Sequence, residues 1–106
     1  MTTVNWTGLS GTIYEMKIFR LGTTVPRYAG VYVLCKPQDR VWSTYYVGEA
    51  ENIGSRLSDS NHLGRDCAMR QGAKFVATTL VEGGKAARLS VERDISSAYE
   101  PPCNER

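Results

Sequence analysis

Between Ile13 and Phe19 the apolar side chains Tyr14, Met16 and Ile18 take turns with the charged Glu15 and Lys17. A period of two puts each set on its own face of an extended chain, so this stretch predicts a strand, placed at a sheet edge. Gly22 to Arg27, with Pro26 inside it, reads as a loop. Gly30 to Cys35 is an unbroken apolar run of strand length. Lys36 to Arg40 is turn-like, and Val41 to Val47 returns as the second strand of a hairpin. Helical material follows from Asn52 to Ser58 and from Arg65 to Gln71, with Gly72 placed to terminate the second piece. Lys74 to Val81 alternates again, with Phe75, Ala77, Thr79 and Val81 on one face and Val76 and Leu80 on the other. Gly83-Gly84 breaks the chain before a last helix from Lys85 to Tyr99, which Pro101-Pro102 stops. The pattern predicts a small α/β (α+β) domain, a central antiparallel sheet flanked by helices.

Composition narrows the classes. A chain of 106 residues suits one domain, 1–106, and is too short for a catalytic domain plus a separate recognition domain. The net charge of +2 permits a polyanionic partner without demanding one. Cys35, Cys67 and Cys103 are odd in number and scattered, with no CxxC pair, so they are expected as reduced thiols rather than a disulfide framework or a zinc site. The start, Met1-Thr2-Thr3-Val4-Asn5, has no basic stretch followed by an apolar one, so no signal peptide is expected. No apolar run approaches the roughly 18 residues of a membrane span. The expectation is a soluble cytoplasmic domain with no membrane partner.

The chemistry-bearing residues gather around the hairpin. Gly30-Val31-Tyr32 and Tyr46-Val47-Gly48 put two phenols on neighbouring strands, and Arg56 follows on the next helix. These supply a proton acceptor, a polar clamp and a fixed cation, which suits phosphodiester chemistry once a carboxylate is added. On the last helix Val91, Ile95, Ala98 and Tyr99 form a core stripe at three- and four-residue spacing, with Glu92 at its edge. A glutamate bordering a core pairs, reaches water or binds a metal; Arg88, four residues earlier, is the available partner. Glu82 and Glu100 read as solvated charges, and Glu49 and Glu51 as acids at a helix N-terminus.

Taken together, Gly30-Val31-Tyr32, Tyr46-Val47-Gly48, Glu49 to Arg56, and Glu92 followed by Pro101-Pro102-Cys103-Asn104 resemble the GIY-YIG nuclease superfamily in its usual order. The resemblance covers about residues 28–104 and leaves 1–27 as an N-terminal strand extension. It implies a metal-dependent endonuclease that hydrolyses DNA phosphodiester bonds, one strand per active site. By matching position, Tyr32 would be the general base or part of its relay, and Tyr46 would line the site. Arg56 would clamp the phosphate, and Glu92 would be the one protein ligand of Mg²⁺ or Mn²⁺. Gly30, Gly48 and Asn104 would be structural beside the site. An unperturbed phenol at pKa near 10 needs a downward shift of about three units, roughly 4 kcal/mol, to serve as a base at neutral pH. His62, the single histidine, is either a relay partner for it or a surface loop residue.

The chain departs from the family pattern in three places. Val31 and Val47 replace isoleucines, thirteen residues lie between Tyr32 and Tyr46, and Glu49 stands where relatives often carry lysine. The acid weakens the positive field near the phosphate. Arg20, Arg27, Arg40, Arg65, Arg70, Lys74, Arg88 and Arg93 are candidate phosphate contacts, with Arg65 and Arg70 preferred. Trp6 and Trp42 could stack on bases, but a core role is favoured for both, with Trp6 folding back over an edge. Nothing in the residues excludes RNA. Two other readings stay open: an inactive nuclease fold that binds nucleic acid or protein, and a catalytic module targeted by a partner protein.

Overall fold

A computed structural model of the chain describes residues 2–104; residue 1 and residues 105–106, the ends of the expected 1–106 domain, lie outside the described residues. Eight elements follow one another: β1 (Thr3–Thr7), β2 (Ile13–Arg20), β3 (Gly30–Gln38), β4 (Val41–Ala50), α1 (Ile53–Ser58), α2 (Leu63–Arg70), β5 (Phe75–Leu80) and α3 (Gly84–Tyr99). The five strands form one sheet in the order β1-β2-β5-β3-β4, every neighbouring pair antiparallel. No helix among the described residues is long and apolar enough to cross a membrane.

The expected antiparallel α+β arrangement is present, with corrections to its parts. The Ile13–Phe19 strand is not at an edge: β2 lies between β1 and β5 because Thr3–Thr7 pairs with it, Trp6 opposite Tyr14. That first strand was legible, since Val4 and Trp6 alternate with Asn5 and Thr7. The hairpin is also longer than its apolar runs. The strands continue to Gln38 and resume at Val41, leaving Asp39 and Arg40 alone in the turn at φ 57° and 79°. Two adjacent left-handed residues are what a two-residue hairpin with right-handed strand twist requires.

The sheet has a core on each face. Val31, Val33, Val47 and Ala77 point toward α3 and pack with Trp6, Met16 and Ile95. Tyr32, Leu34 and Val76 point the other way, onto Ile53 of α1 and Ala68 of α2. The alternation expected for β5 therefore holds, with Phe75 and Ala77 on one side and Val76 on the other. Although β1 and β4 are opposite edges, the sheet curls enough for Trp6 Nε1 to donate to Thr44 Oγ1 at 3.0 Å. Trp6 is thus a buried bridge between the edges. Trp42 packs edge-on against Phe75, so both tryptophans take the core role.

The stripe on α3 is shifted from the expected one. Ile95 is buried, but so are Arg88 and Ser96, whereas Ala98 and Tyr99 are exposed. The helices are capped by local chemistry. Asn52 accepts from the Ser55 N–H ahead of α1. Gly72, at φ 108°, closes α2 while the Ala73 N–H reaches Ala68 O.

The cysteine expectation is overturned. Cys67 of α2 and Cys103 in the tail are joined by a disulfide across a sequence separation of 36. The tail turns back after Pro101 and lies along the outer edge of β4, and this return brings the two cysteines together. Their spacing carries no trace of it. Cys35 is free and buried, and burial pushes its thiol up to about 12, which leaves it inert.

Candidate active site

Four of the sequence candidates converge where β3 and β4 meet α1 and α2. Tyr32 leaves β3 toward the helices and is 1 % exposed. Tyr46 leaves β4 on the same side, its ring centroid 6.1 Å from that of Tyr32 and 5.4 Å from that of His62. Two glycines make the packing feasible. A Cβ on Gly48 would lie 2.5 Å from the Tyr32 hydroxyl and 2.8 Å from the Tyr46 ring, and one on Gly64 would enter the Tyr46 ring. Gly30 is needed for a different contact, the close passage of the Thr79 carbonyl on β5.

His62 is no surface loop residue. It is fully buried and stands as the N-cap of α2, which explains why that helix begins at Leu63 rather than Arg65. Its Nδ1 accepts the Arg65 backbone N–H at 3.0 Å, and its Nε2 lies 2.5 Å from Tyr32 Oη. Histidine is an unusual cap, so sequence signals for helix starts pass over it.

Arg56 projects from α1, half-exposed, with a loose 3.4 Å contact to Asp59. A surface pair of this kind contributes little, and it leaves the guanidinium able to meet a phosphate. The Arg56 charge acts on Tyr32, Tyr46 and His62 alike. Glu92, half-buried on α3, acts on Tyr46 and raises its pKa, which puts the carboxylate within electrostatic reach of that phenol.

The expected helix-terminus role of Glu49 is a further correction. Glu49 lies on β4 and accepts from Arg88 Nε on α3 at 2.9 Å, the two side chains 17 % and 10 % exposed. Arg88 thus has a partner on another element, which the i,i+4 spacing to Glu92 does not suggest. It neutralises an acid whose charge raises both phenols, and it is too buried to reach a phosphate.

The tail completes the frame. Asn104 Oδ1 accepts from Val47 N–H and Asn104 Nδ2 donates to Val47 O, both at 2.8 Å, while the Cys103 N–H reaches Tyr45 O. A side-chain amide thus stands in for a neighbouring strand next to Tyr46, in keeping with the structural role expected for Asn104.

The preferred phosphate contacts differ in availability. Arg65 is engaged internally, Nη1 to Leu57 O at 2.5 Å and Nε and Nη2 to Asp66 Oδ1. Arg70, in the last turn of α2, is exposed. Arg20 lies over the Phe75 ring. A cavity of about 680 Å³ between the 21–27 loop and α1 and α2 is lined by Arg27, Leu57, Arg65 and Met69, and none of the catalytic candidates borders it.

Electrostatically the site works against a simple phenolate. Burial, followed by the Tyr46 phenol, pushes Tyr32 far above the ordinary phenol range, and the Arg56 cation offsets only part of that. Burial and Glu92 also raise Tyr46, with Arg56 and the Tyr32 hydroxyl pulling it down. Burial, then Arg56 and Arg65, lowers His62 to about 4, against the weaker pull of Asp66 and Asp59. His62 is therefore neutral at neutral pH. Among the described residues no group of three or more His, Cys, Asp or Glu could cage a metal. The half-buried Glu92 carboxylate still fits Mg²⁺, which keeps most of its water and binds through one or two carboxylates plus substrate oxygens.

Sequence reasoning missed Asp94. It accepts from Tyr14 Oη, Ser10 Oγ and the Ser10 N–H, tying the β1–β2 turn to α3 two residues beyond Glu92. No family model, no curated protein and no solved structure matches the chain.

Proposed function

We propose that this chain is a metal-dependent endonuclease that hydrolyses phosphodiester bonds in DNA, one strand per active site. The observation that carries the reading is the convergence of Tyr32, Tyr46, His62 and Arg56, from four different elements, with Glu92 acting on Tyr46. Structural packing alone has no need of two phenols, a neutral imidazole and a half-exposed guanidinium at one place.

In this reading Arg56 binds the scissile phosphate and stabilises the charge that builds on its oxygens. As the phenolate, its own proton passed to solvent rather than to His62, Tyr32 removes the proton from the attacking water, and Tyr46 holds that water or a phosphate oxygen. Glu92 would hold Mg²⁺ or Mn²⁺, which when bound supplies Lewis-acid stabilisation of the leaving 3′ oxygen. A cation there would also cancel the Glu92 charge that raises Tyr46. Arg70 is exposed, so of the two preferred contacts it is the one available to backbone phosphates.

The test is a cleavage screen on plasmid, branched and single-stranded DNA and on RNA, with Mg²⁺ and with Mn²⁺. The wild type should nick DNA, and Glu92→Ala and Arg56→Ala should each lose about 10²-fold or more. Cleavage no greater in wild type than in Glu92→Ala across all substrates rejects the enzyme. One observation favours a second reading, a nuclease-like fold that only binds: the Tyr32 hydroxyl is buried and its ionisation is opposed. Retained DNA binding with no cleavage under any metal would select that reading.

A further inference from the structure

The two nitrogens of His62 have different partners, and one of those partners has a fixed polarity. A backbone N–H can only donate, so the Arg65 N–H at 3.0 Å makes Nδ1 an acceptor with no proton of its own. The neutral ring must then carry its proton on Nε2, which is the atom 2.5 Å from Tyr32 Oη. The hydrogen bond at the centre of the site therefore runs from the imidazole to the phenol.

We propose that His62 is a positioning residue whose tautomer is locked by capping α2, so that it donates Nε2–H to the Tyr32 oxygen and never accepts the Tyr32 proton. The role assigned to Tyr32 rests on the nuclease reading; the tautomer and the direction of the bond do not.

The chemistry of the fixed tautomer has direct consequences. A relay of Tyr32's proton into His62 is closed, because Nε2 is already protonated and Nδ1 is bound to the helix. The hydroxyl hydrogen of Tyr32 must point away from His62. When Tyr32 loses that hydrogen, the O⁻ keeps a ready-made N–H donor, and hydrogen bonds to a charged oxygen are about twice as strong as neutral ones. The imidazole thus favours the phenolate without moving a proton. The same cap resists protonation of the ring, since an Nδ1–H would face the Arg65 N–H head-on. The surrounding charges act in the same direction, Arg56 and Arg65 outweighing Asp59 and Asp66.

The geometry allows the two functions of His62 to be separated by substitution. Asparagine keeps a capping acceptor for the Arg65 N–H but falls short of Tyr32; glutamine reaches Tyr32 with an N–H donor but caps poorly.

The first measurement is ¹⁵N NMR of the ring in the uncleaved, substrate-free protein at neutral pH. The expected result is the Nε2–H tautomer, with a slowly exchanging Nε2 proton that is lost in Tyr32→Phe. An Nδ1–H tautomer, a doubly protonated ring, or an Nε2 proton unaffected by Tyr32→Phe overturns the proposal whatever the enzyme does. The second is the cleavage rate of the two variants. His62→Gln should keep most of kcat, while His62→Asn, still folded, should lose about 10- to 100-fold, the worth of one hydrogen bond to a charged oxygen. Equal losses in both variants point to a proton acceptor and reject the donor role. If the wild type does not cleave at all, the nuclease reading fails while the NMR result still decides the tautomer.

Discussion

Glu49 on β4 and Arg88 on α3 form a 2.9 Å ion pair that is almost shielded from water. It joins the strand that carries Tyr46 to the helix that carries Glu92, one turn from that carboxylate. The pair also resolves the position where an acid stands in place of the lysine often found in the resembled family. The negative charge of Glu49 is met by a cation arriving from another element, so its effect on the phenols is reduced rather than removed; Glu49 still raises both Tyr32 and Tyr46.

Removing one member of a shielded pair strands the other. Arg88→Ala should therefore destabilise the fold by about 3 kcal/mol or more, whereas replacing both residues with apolar ones of similar size should cost far less. Urea denaturation of the two single variants and the double variant checks this. Additive losses would show that the two charges do not interact.

The disulfide between Cys67 and Cys103 closes a long loop and pins the tail that covers β4's edge. Breaking it with a dithiol reductant, or by Cys103→Ser, should lower stability by about 2–4 kcal/mol. Chemical denaturation with and without reductant reads the difference, and the Cys103→Ser protein should be insensitive to reductant. A wild type equally stable in both conditions would mean the tail is held by its hydrogen bonds to β4 alone.

Acid should destabilise the protein through His62. Its pKa is about 4 in the fold and near 6.5 when unfolded. Between those values the unfolded chain binds a proton that the native one does not, so stability is full above about 6.5 and falls as pH drops toward 4. The loss reaches up to about 3 kcal/mol by pH 4. Asp94, with its pKa lowered mainly by the Tyr14 and Ser10 hydrogen bonds, adds a loss of the same sign at more acidic pH. Denaturation midpoints across pH 4–7 for wild type and His62→Asn should converge in acid and diverge at neutrality.

Gly48 and Gly64 are the spacers of the site. In Gly48→Ala the new methyl would collide with the Tyr32 hydroxyl, and in Gly64→Ala with the Tyr46 ring. Each should cost about 1–3 kcal/mol and displace the phenol concerned. Tyrosine ring NMR shifts should change mainly at Tyr32 and Tyr46 in the first variant and at Tyr46 in the second. Unchanged stability and spectra in both would contradict the close packing of the two rings.

Most of the elements are legible in the sequence alone. Alternation in Tyr14–Ile18 and Phe75–Val81, the apolar run from Gly30 and the glycine and proline stops are local properties, and local sterics act on neighbours in the chain. The same kind of signal placed Tyr32, Tyr46, Arg56 and Glu92 on their elements. What it left undetermined depends on residues far apart meeting in space. Trp6 bridges to Thr44 because the sheet curls, Cys67 bonds Cys103 because the tail doubles back, and Glu49 finds Arg88 because α3 crosses β4. His62 is the clearest case. As the chain's only histidine it offers either a surface residue or a catalytic one, and its place between the Arg65 N–H and the Tyr32 hydroxyl comes from the packing of α2 against β3. Tertiary structure decided its partners, and through them which of its nitrogens carries the proton.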